Sequence, residues 1–413
     1  YMNLPDFHQK PHFLRATFHI NTPMFIAGAN PQEPELTPTG FKGVMRFWWR
    51  ALNWSRIRIN SETKEQALKE LHQQEAELFG LASGDNKGGQ GECFVNTGKF
   101  YSENIRKWSY TGNKSGVSYL LGQGLFHFRD GLSRNAFLDK QFFTVDLTIA
   151  PSSNQDIQDC LQIIGLLGGL GSRSRHGFGS ITLKKLEKKS LADGEYEEVA
   201  FEKDVKKALQ DLLSKYKCKE NKELPPLSAF YQGTRIDIVR FNDNALDLLN
   251  RIGEEQQMYR SFGRNGMVNE KEAERNFSDD HNLMYELAEG ENINSHPERV
   301  IFGLPHNYYL SGVGVNVDIE PIYISDDGKQ KTKFRRASPL IIHVHQNGNT
   351  FDLIQCLFKS EYIHSLVKLE MLAYKKEGRK KTTIKKLYKP ISVDFSHLEN
   401  FMNRRLFNNK ETI

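Results

Sequence analysis

The sequence predicts an α+β protein made of two tandem ferredoxin-like (RRM-like) domains with insertions. Three observations predict this architecture. The chain has 413 residues, which is more than one typical domain contains. Apolar residues recur at strand spacing and at helix spacing in a strand-helix-strand-strand-helix-strand order. A segment dense in Lys and Glu, ending at Pro225 and Pro226, separates the two halves.

The first predicted domain covers residues 1–190. Its strands are predicted over residues 13–20, 92–96, 142–150 and 178–186, and its helices over residues 40–54, 64–79 and 156–167. The helix over 64–79 and the polar stretch 101–141 are additions to the six-element order, so we interpret both as insertions.

A glycine-rich run, GGLGSRSRHGFG, joins the last helix of this domain to its last strand. Glycines allow left-handed backbone and leave amide groups unshielded, and the arginines and histidine add positive charge, so the run suits a polyanion. It is not a nucleotide-binding P-loop or a Rossmann turn, because no Gly-Lys-Ser/Thr ends it and the helix precedes the strand. The alternative is a loop that needs its glycines only for flexibility. The predicted RNA-binding residues in this run are Gly168, Gly169, Gly171, Ser172, Arg173, Ser174, Arg175 and His176.

The helix predicted over 40–54 provides a second candidate surface. At ~100° per residue, Trp48 falls on the apolar side, whereas Trp49 falls on the opposite side among three cations. We therefore expect Trp48 in the core and Trp49 where a base or ribose can stack on it. The alternatives are that Trp49 packs at the edge of the core and that the cations form a solvated helix face. The predicted RNA-binding residues here are Lys42, Arg46, Trp49 and Arg50.

These two surfaces belong to the same domain. In a ferredoxin-like topology, the residues just before the first helix and the loop before the last strand can approach one side of the sheet. We therefore expect one composite surface that contacts the backbone of a single RNA strand. Its sequence discrimination should be weak, because phosphate contacts position a strand without reading its bases.

The second predicted domain covers residues 227–413 and follows a charged helical connector over residues 191–226. Its strands are predicted over residues 234–241, 315–323 and 337–345, and its helices over residues 244–259 and 397–406. The segment SFGRNG, residues 261–266, follows a helix as the glycine-rich run does. It is therefore the nearest candidate for a degraded copy of that run.

Composition excludes several classes of protein. The formal net charge is only +5, from 56 basic and 51 acidic residues, so a nucleic-acid surface has to be a local patch. The four cysteines, at positions 93, 160, 218 and 356, lack paired spacing, which argues against a zinc ribbon and a disulfide framework. No apolar run approaches the ~20 residues that cross a bilayer. We expect a cytoplasmic protein with no membrane contact, metal or cofactor.

Three short motifs could carry chemistry. His176 could act as a general acid or base on RNA, but no second catalytic group is recognisable, and Arg175 beside it would reduce its basicity. His343 and His345 share one face of a strand and could bind a metal, although a partly exposed strand face is favoured because no further ligand is recognisable. Asp279-Asp280-His281 resembles part of a hydrolase motif, but a helix cap by Ser278 or Asp279 explains it more simply. RNA contact is the favoured role for His176.

The basic run over residues 375–389 leaves two interpretations open. Its lysines and its arginine could hold a nucleic-acid backbone. They could equally lie in a solvated loop, because a glycine and several threonines interrupt the run and define no single face.

The segments FKGVMRFWWRAL (41–52), ELFG (77–80) and GLLGGLGSRSRHGFGSI (165–181) resemble the RAMP superfamily of CRISPR RNA-binding proteins. Members of that superfamily carry a glycine-rich loop near the end of a ferredoxin-like domain. Within it, the segments are similar to the first RAMP subunit of the type III-B (Cmr) effector complex. The C-terminal half agrees more loosely, through residues 299–305 and 335–340.

This resemblance implies a non-catalytic RNA-binding subunit of a type III-B CRISPR ribonucleoprotein in antiviral defence. Its partners would be guide RNA, held toward the 3′ end, target RNA, and other RAMP subunits. Further predicted RNA-binding residues are Arg264, Arg335 and Arg336. Two alternatives stay open. One is a metal-independent RAMP endoribonuclease that processes guide RNA precursor, and the other is a scaffold that binds only protein.

Overall fold

The structure is a computed structural model that describes residues 11–30, 32–81, 89–97, 108–122, 124–190, 194–325 and 330–413. The first elements in chain order are β1 (His12–Ile20), α1 (Pro38–Ile59), α2 (Lys64–Phe79), β2 (Cys93–Thr97), α3 (Ser115–Leu121), β3 (Phe126–His127), β4 (Gly131–Leu132), β5 (Phe142–Ile149), α4 (Asn154–Leu167), β6 (Ile181–Lys189), β7 (Tyr196–Glu198) and α5 (Val205–Lys215).

The later elements are β8 (Arg235–Phe241), α6 (Ala245–Arg260), β9 (Met267–Val268), β10 (Lys271–Glu272), α7 (Ser278–Glu289), β11 (Gly303–Leu304), β12 (His306–Leu310), β13 (Val315–Ile324), β14 (Lys331–Lys333), β15 (Arg336–Ala337), β16 (Leu340–Asn347), β17 (Thr350–Leu357), β18 (Lys368–Glu377), β19 (Lys380–Lys389), α8 (Ser396–Met402) and β20 (Lys410–Thr412). Short 3-10 helices cover Pro151–Ser153, Glu298–Phe302 and Arg405–Phe407.

The α1 helix shows why the sequence folds locally as predicted. Thr37 caps it by accepting a hydrogen bond from the Gly40 amide at 3.1 Å, and Pro38 at the first position has no amide hydrogen to leave unpaired. The helix continues to Ile59 and is therefore longer than the predicted 40–54. Its apolar side packs on the first sheet, where the Phe18 ring lies 5.8 Å from that of Phe41.

The first sheet has the strand order β2-β5-β1-β6-β7, and its described neighbours are antiparallel. Leaving aside β7, this is the order of a split βαβ sheet, with the third strand between the first two and the fourth strand at the edge. The predicted strands and helices of residues 13–186 all occur, with bounds shifted by a few residues. The prediction of mixed helix and sheet is confirmed.

A second four-stranded sheet has the order β16-β17-β8-β20. Its strands, taken with α6 and α8, follow the chain as β8, α6, β16, β17, α8 and β20, which repeats the six-element order of the first sheet when α7, β9–β15, β18 and β19 are set aside. The strand predicted over 315–323 exists as β13 but belongs to another sheet. Strand length and alternation identify a strand, whereas its neighbours depend on segments far away in the chain.

The chain divides into two compact units at different places from the predicted domains. Unit 1 contains the residues up to Arg251 together with Ile341–Phe358 and Asn409–Ile413, and unit 2 contains Ile252–Leu340 and Lys359–Asn408. Thus the strands of the second sheet lie in unit 1 apart from Leu340, whereas α8 and residues Ile252–Arg260 of α6 lie in unit 2. The compact units differ from a division at residue 227 because they group nearly all residues of the second sheet with the N-terminal residues.

The predicted connector over 191–226 is also part of unit 1. Its helix, α5, packs against α4, and the Tyr216 hydroxyl donates a hydrogen bond to Asp159 at 2.9 Å. The apolar face of α5 is buried with the core of the first domain. The helix therefore extends the core instead of joining two bodies. Residues 191–193 lie outside the described residues.

Unit 2 has its own sheet, in the order β12-β13-β18-β19, with β14 paired to β13. The basic run over 375–389 forms the end of β18 and all of β19, so it is a strand hairpin and not an open loop. Antiparallel pairing of Lys376 with Lys381 and of Glu377 with Lys380 fixes the register of the hairpin. Alternating side chains therefore do have defined faces.

Candidate nucleic-acid interface

The glycine-rich loop (Gly168–Gly179) is closed by its own backbone. The Leu170 amide donates to the Gly179 carbonyl at 2.9 Å, and Gly169 forms a bridge with Ser180. The connection between β1 and α1 also holds it, since the Ser172 amide donates to the Phe25 carbonyl at 2.8 Å. Such backbone bonds define one conformation for the loop.

A buried hydroxyl after β1 and a backbone amide of β16 also hold the loop. The Thr22 hydroxyl donates to the Gly177 carbonyl at 2.7 Å, and the Ile342 amide of β16 donates to the Arg175 carbonyl at 3.0 Å. Asn21 is fully buried and donates to the Val344 carbonyl at 2.7 Å. Sequence reasoning missed the role of Asn21 and Thr22. The available signal is a pair of polar residues directly after an apolar strand and before Pro23.

The glycines of the loop are required by the chain itself. A β-carbon at Gly171 would lie 2.3 Å from the Phe25 carbonyl oxygen, and one at Gly179 would lie 2.0 Å from that of Leu170. Both glycines have positive φ, of 85° and 61° respectively. These positions therefore need glycine for close backbone approach within the protein, whatever ligand the loop binds.

Four successive side chains of the loop, from Arg173 to His176, are half-buried. Arg173 has a φ of 63°, and its Nε donates to the Leu121 carbonyl at 2.9 Å. The Arg175 guanidinium lies over the Phe47 ring, 5.3 Å from its centroid. Packing thus orients both arginines, while part of each side chain remains accessible at the surface.

Two of the predicted helix cations, Arg46 and Arg50, form ion pairs with α2. Arg46 and Arg50 both bond to one carboxylate oxygen of Glu75, at 3.2 and 2.6 Å, and the Glu75 side chain is only 6% exposed. Arg46 also donates to the Phe79 carbonyl at 3.1 Å. These two arginines join α1 to α2, which corrects their prediction as an open phosphate-binding face. Among the described residues, no acidic side chain pairs with half-buried Lys42, whose pKa burial lowers.

The prediction for Trp49 is wrong. Its side chain is 2% exposed, as buried as that of Trp48 at 3%, and it packs edge-on against Phe79 with the ring centroids 6.3 Å apart. A helical wheel correctly separates the two tryptophans, but α2 covers the side that the wheel assigns to solvent. Trp48 meets Phe230 on the other side, as its predicted core position requires.

The predicted contacts of unit 2 differ in exposure. Arg264 is exposed and lies in the turn after α6, and Arg335 is exposed as well. Arg336 is instead held inside unit 2, where it donates to the Ser360 hydroxyl at 2.8 Å and lies 5.3 Å from the Tyr362 ring centroid. Desolvation lowers the pKa of Arg336. We therefore withdraw Arg336 as an RNA contact.

The segment 261–266, which contains Arg264, is not the topological counterpart of the glycine-rich loop. It follows α6, the first helix of the second six-element order, whereas the glycine-rich loop follows α4, the second helix of the first order. The corresponding position in the second order is the connection between α8 and β20.

His343 and His345 are buried, which corrects the expected partly exposed strand face. They are 1% and 6% exposed, and the His343 Nδ1 lies 2.8 Å from the Gly168 carbonyl at the start of the glycine-rich loop. Burial holds the pKa of His343 well below its usual range and lowers the pKa of His345 to about 3. Both rings are therefore neutral at pH 7.

Asp280 also has a role different from the predicted one. No side chain caps α7, but buried Asp280 accepts hydrogen bonds from the Glu298 and Arg299 amides at 2.7 and 2.9 Å. It thus caps the 3-10 helix over Glu298–Phe302. His281 stacks on Phe262 with the ring centroids 3.7 Å apart.

Three findings complete the description of the site. In the described part of the chain, no group of three or more His, Cys, Asp or Glu side chains is arranged to hold a metal ion. The four cysteines are buried free thiols. None of the described helices is both long and apolar enough to cross a membrane.

Comparisons with known proteins locate the family signal in the part that carries the glycine-rich loop. Residues 17–182 match the family model of the RAMP superfamily. The CRISPR system Cmr subunit Cmr1-2 of Pyrococcus furiosus is 28% identical over an alignment of 188 residues, which covers 41% of this chain and 94% of that relative. Among solved structures, apo Cmr1 from Pyrococcus furiosus aligns with a TM-score of 0.48 at 17% identity, over 90% of this chain and 93% of that chain. A chain of the type III-B Cmr-beta complex bound to cognate target RNA aligns with a TM-score of 0.27 at 16% identity, over 43% of this chain and 61% of that chain.

Proposed function

We propose, on the premise that residues 17–182 match the RAMP superfamily, that this chain is a non-catalytic RNA-binding subunit of a type III-B CRISPR ribonucleoprotein. It acts in the cytoplasm in antiviral defence. Its RNA partners are the guide RNA toward its 3′ end, target RNA, or both, and its protein partners are other RAMP subunits. The match to a Cmr subunit over 188 residues supports this assignment.

The observation that carries the proposal is the geometry of the glycine-rich loop. Backbone bonds from the β1–α1 connection and from β16 hold the loop in one shape, and Arg173, Ser174, Arg175 and His176 lie half-exposed along it. A preorganised cationic loop binds phosphate without an ordering cost at the moment of binding. Arginine suits this role because its planar guanidinium can donate two parallel hydrogen bonds to phosphate.

The structure supports a smaller RNA surface than the one that the sequence predicts. Arg46 and Arg50 hold Glu75 and Trp49 is buried, so their contribution is structural. Lys42 remains as the cation of α1 in the proposed surface, together with the loop. We retain exposed Arg264 and Arg335 as secondary phosphate contacts, because neither side chain is covered.

We further propose that both six-element orders are ferredoxin-like domains, which makes the protein a tandem RAMP subunit with insertions. The identical order of the strands in the two sheets supports this proposal. The second domain then consists of β8, β16, β17 and β20 with α6 and α8, and the sheet of unit 2 is an insertion into it.

An RNA-binding assay tests the role of the loop. Arg173→Ala should weaken binding of guide RNA by about tenfold, since a hydrogen bond to a charged group contributes about 1.5 kcal/mol or more. Arg240→Ala is the control, because Arg240 is a 67% exposed arginine of the same unit that pairs with Glu411. Equal affinities of the parent chain and Arg173→Ala in fluorescence anisotropy, with both chains folded, would contradict the proposal.

Two further measurements separate the alternatives. Incubation of the chain with repeat-containing RNA, with and without divalent metal, should leave the RNA intact, whereas site-specific products that disappear in His176→Ala would establish the endoribonuclease. RNA affinity should fall steeply as the salt concentration rises, because bound phosphates release counterions. No measurable RNA binding at low salt would favour the protein scaffold.

A further inference from the structure

The hairpin of β18 and β19 in unit 2 extends beyond the sheet that contains it. Pairing of β18 with β13 ends at Tyr374, which is opposite Asn316. The two strands of the hairpin continue to pair with each other as far as Glu377 and Lys380. Every residue over 375–383 is exposed. We call this two-stranded segment, residues 375–383, the basic ribbon.

The basic ribbon carries an excess of positive charge. It holds five cations and one carboxylate, which are Lys375, Lys376, Arg379, Lys380, Lys381 and Glu377. Among the described residues, an acidic side chain pairs with just one of these cations, since Lys381 lies 3.6 Å from Asp318. Lys376 is directly opposite Lys381, and like charges in opposed positions destabilise a sheet. Binding of a polyanion relieves this repulsion.

The composition of the basic ribbon favours a nucleic acid over a protein as the partner. Its sequence, KKEGRKKTT, contains no aliphatic or aromatic side chain. Protein–protein interfaces have a dry centre that is depleted of charged residues and of lysine in particular. Phosphates, in contrast, bind exposed lysines and arginines. Lysine on an edge strand also blocks edge-to-edge pairing of sheets, which is the competing explanation.

An exposed aromatic ring lies on the same face of the sheet as Lys376. Tyr309 of β12 is 67% exposed, and it is opposite Asn316, which is opposite Tyr374. Opposed residues of antiparallel strands share a face, as do residues two positions apart in one strand, so Tyr309 and Lys376 share a face. Two strand spacings, about 10 Å, separate Tyr309 from Tyr374. Lys381 covers the Tyr374 ring at 4.1 Å from its centroid, whereas the Tyr309 ring is open.

From the exposed cations, the absence of apolar side chains in the basic ribbon and the neighbouring ring, we propose that this face of unit 2 binds single-stranded RNA. Lys376 and Arg379 contact backbone phosphates, and one base stacks on Tyr309. Stacking on a protein ring requires an unpaired base, so an RNA duplex can use only the cations. This surface rests on the proposed function in that the chain binds RNA, and it shares no residue with the glycine-rich loop.

Fluorescence anisotropy of the full chain with a labelled oligouridine, over a range of salt concentrations, tests the phosphate contacts. Lys376→Gln with Arg379→Gln should weaken binding at least about tenfold at low salt. It should also reduce the slope of log affinity against log salt by about 1.4, because each phosphate contact on a single strand contributes about 0.7. Lys368→Gln with Lys389→Gln is the matched control, since it removes two charges from the opposite end of the same two strands and should keep the slope of the parent.

The base contact is tested by comparing oligouridine with the duplex that it forms with oligoadenosine. Tyr309→Ala should weaken binding of oligouridine at least about fivefold and leave binding of the duplex unchanged, because paired bases cannot stack on the ring. Tyr309→Phe keeps the ring and should bind both RNAs like the parent. Thermal unfolding checks that every variant is folded.

An unchanged salt slope in the Lys376→Gln, Arg379→Gln variant, or equal losses in that variant and its control, would overturn the phosphate contacts. Aggregation of that variant with unchanged RNA affinity would identify the cations as protection against edge pairing. Unchanged RNA affinity with impaired binding to other RAMP subunits would identify a protein contact instead. Equal losses for oligouridine and duplex in Tyr309→Ala would overturn the stacked base.

The outcomes also separate this surface from the proposed function. RNA binding that depends on Arg173 and not on Lys376, Arg379 or Tyr309 would retain the proposed function and refute the surface in unit 2. Absence of RNA binding by the parent chain at low salt would refute both.

Discussion

The glycine-rich loop and the α1 helix both present cations in the sequence, yet the folded protein uses them differently. The loop is held by backbone hydrogen bonds, so its consecutive side chains from Arg173 to His176 remain half-exposed. The α1 helix packs against α2, and its arginines at 46 and 50 converge on Glu75. Main-chain hydrogen bonds brace the loop, whereas ion pairs between side chains join the α1 helix to α2.

The two tryptophans of α1 give the largest expected effect and test whether α2 really covers this helix. Trp48→Ala and Trp49→Ala should each lower the free energy of unfolding by about 3–5 kcal/mol, because both side chains are buried. Chemical denaturation measures both losses, and Trp49→Phe should lose less. Unchanged stability in Trp49→Ala with weakened RNA binding would restore Trp49 to an exposed stacking position.

Lowering the pH should destabilise the folded protein through His343 and His345. His343 lies beside the glycine-rich loop, where it contacts the Gly168 carbonyl. Burial depresses the folded-state pKa of both below the unfolded value, to about 3 for His345. The unfolded chain therefore takes up protons below pH ~6.5 that the folded chain refuses, so stability present at pH 7.5 is lost as the pH falls toward 3.

The expected size is about 1.4 kcal/mol per pH unit for each histidine, or roughly 3–4 kcal/mol between pH 7.5 and 5 for both. Urea unfolding at several pH values measures it. His345→Gln should remove about half of this dependence, whereas His72→Gln on the exposed side of α2 should leave it unchanged. Equal pH dependence in the parent and His345→Gln would show that His345 is protonated in the fold.

Two glycine substitutions contrast the loop with the helix directly. Gly179→Ala should destabilise the protein by about 3 kcal/mol, because φ is 61° and the new β-carbon would meet the Leu170 carbonyl oxygen at 2.0 Å. Gly43→Ala on α1 has no atom within 4 Å of the new carbon and should stabilise by about 0.5–1 kcal/mol. Thermal unfolding separates the two signs, and a neutral Gly179→Ala would mean that the loop is not braced.

The ion cluster between α1 and α2 carries the smallest expected loss. Glu75→Gln should lower the free energy of unfolding by about 2 kcal/mol, because two arginines lose the negative charge of a carboxylate that is only 6% exposed. Glu77→Gln, on the exposed side of the same helix, should change it by less than about 0.5 kcal/mol. Loss of RNA affinity without loss of stability in Arg46→Ala would return Arg46 to the RNA surface.

Local patterns predicted much of this protein correctly. The spacing of apolar residues located the strands and helices of the first sheet. The order of those elements predicted the arrangement of the first sheet. These properties follow from residues within a few positions of one another, which a sequence displays directly.

The exposure of the candidate residues depended on distant segments. Arg46 meets Glu75 from 29 positions away, and His343 meets Gly168 from 175 positions away. The second sheet likewise joins strands from three separated parts of the chain, and local periodicity does not show which of these strands pair.

The amino-acid sequence by itself determined the strands and helices of the first sheet, the position of the glycine-rich loop and the resemblance to the RAMP superfamily. Only the tertiary structure decided that Trp49 is core, that Arg46 and Arg50 bind Glu75, and that His343 and His345 are buried. The physical reason is that periodicity is a property of one segment, whereas burial and ion pairing are properties of two segments in contact. A helical wheel shows which side chains share a face, and the neighbouring segment determines whether that face is buried or exposed.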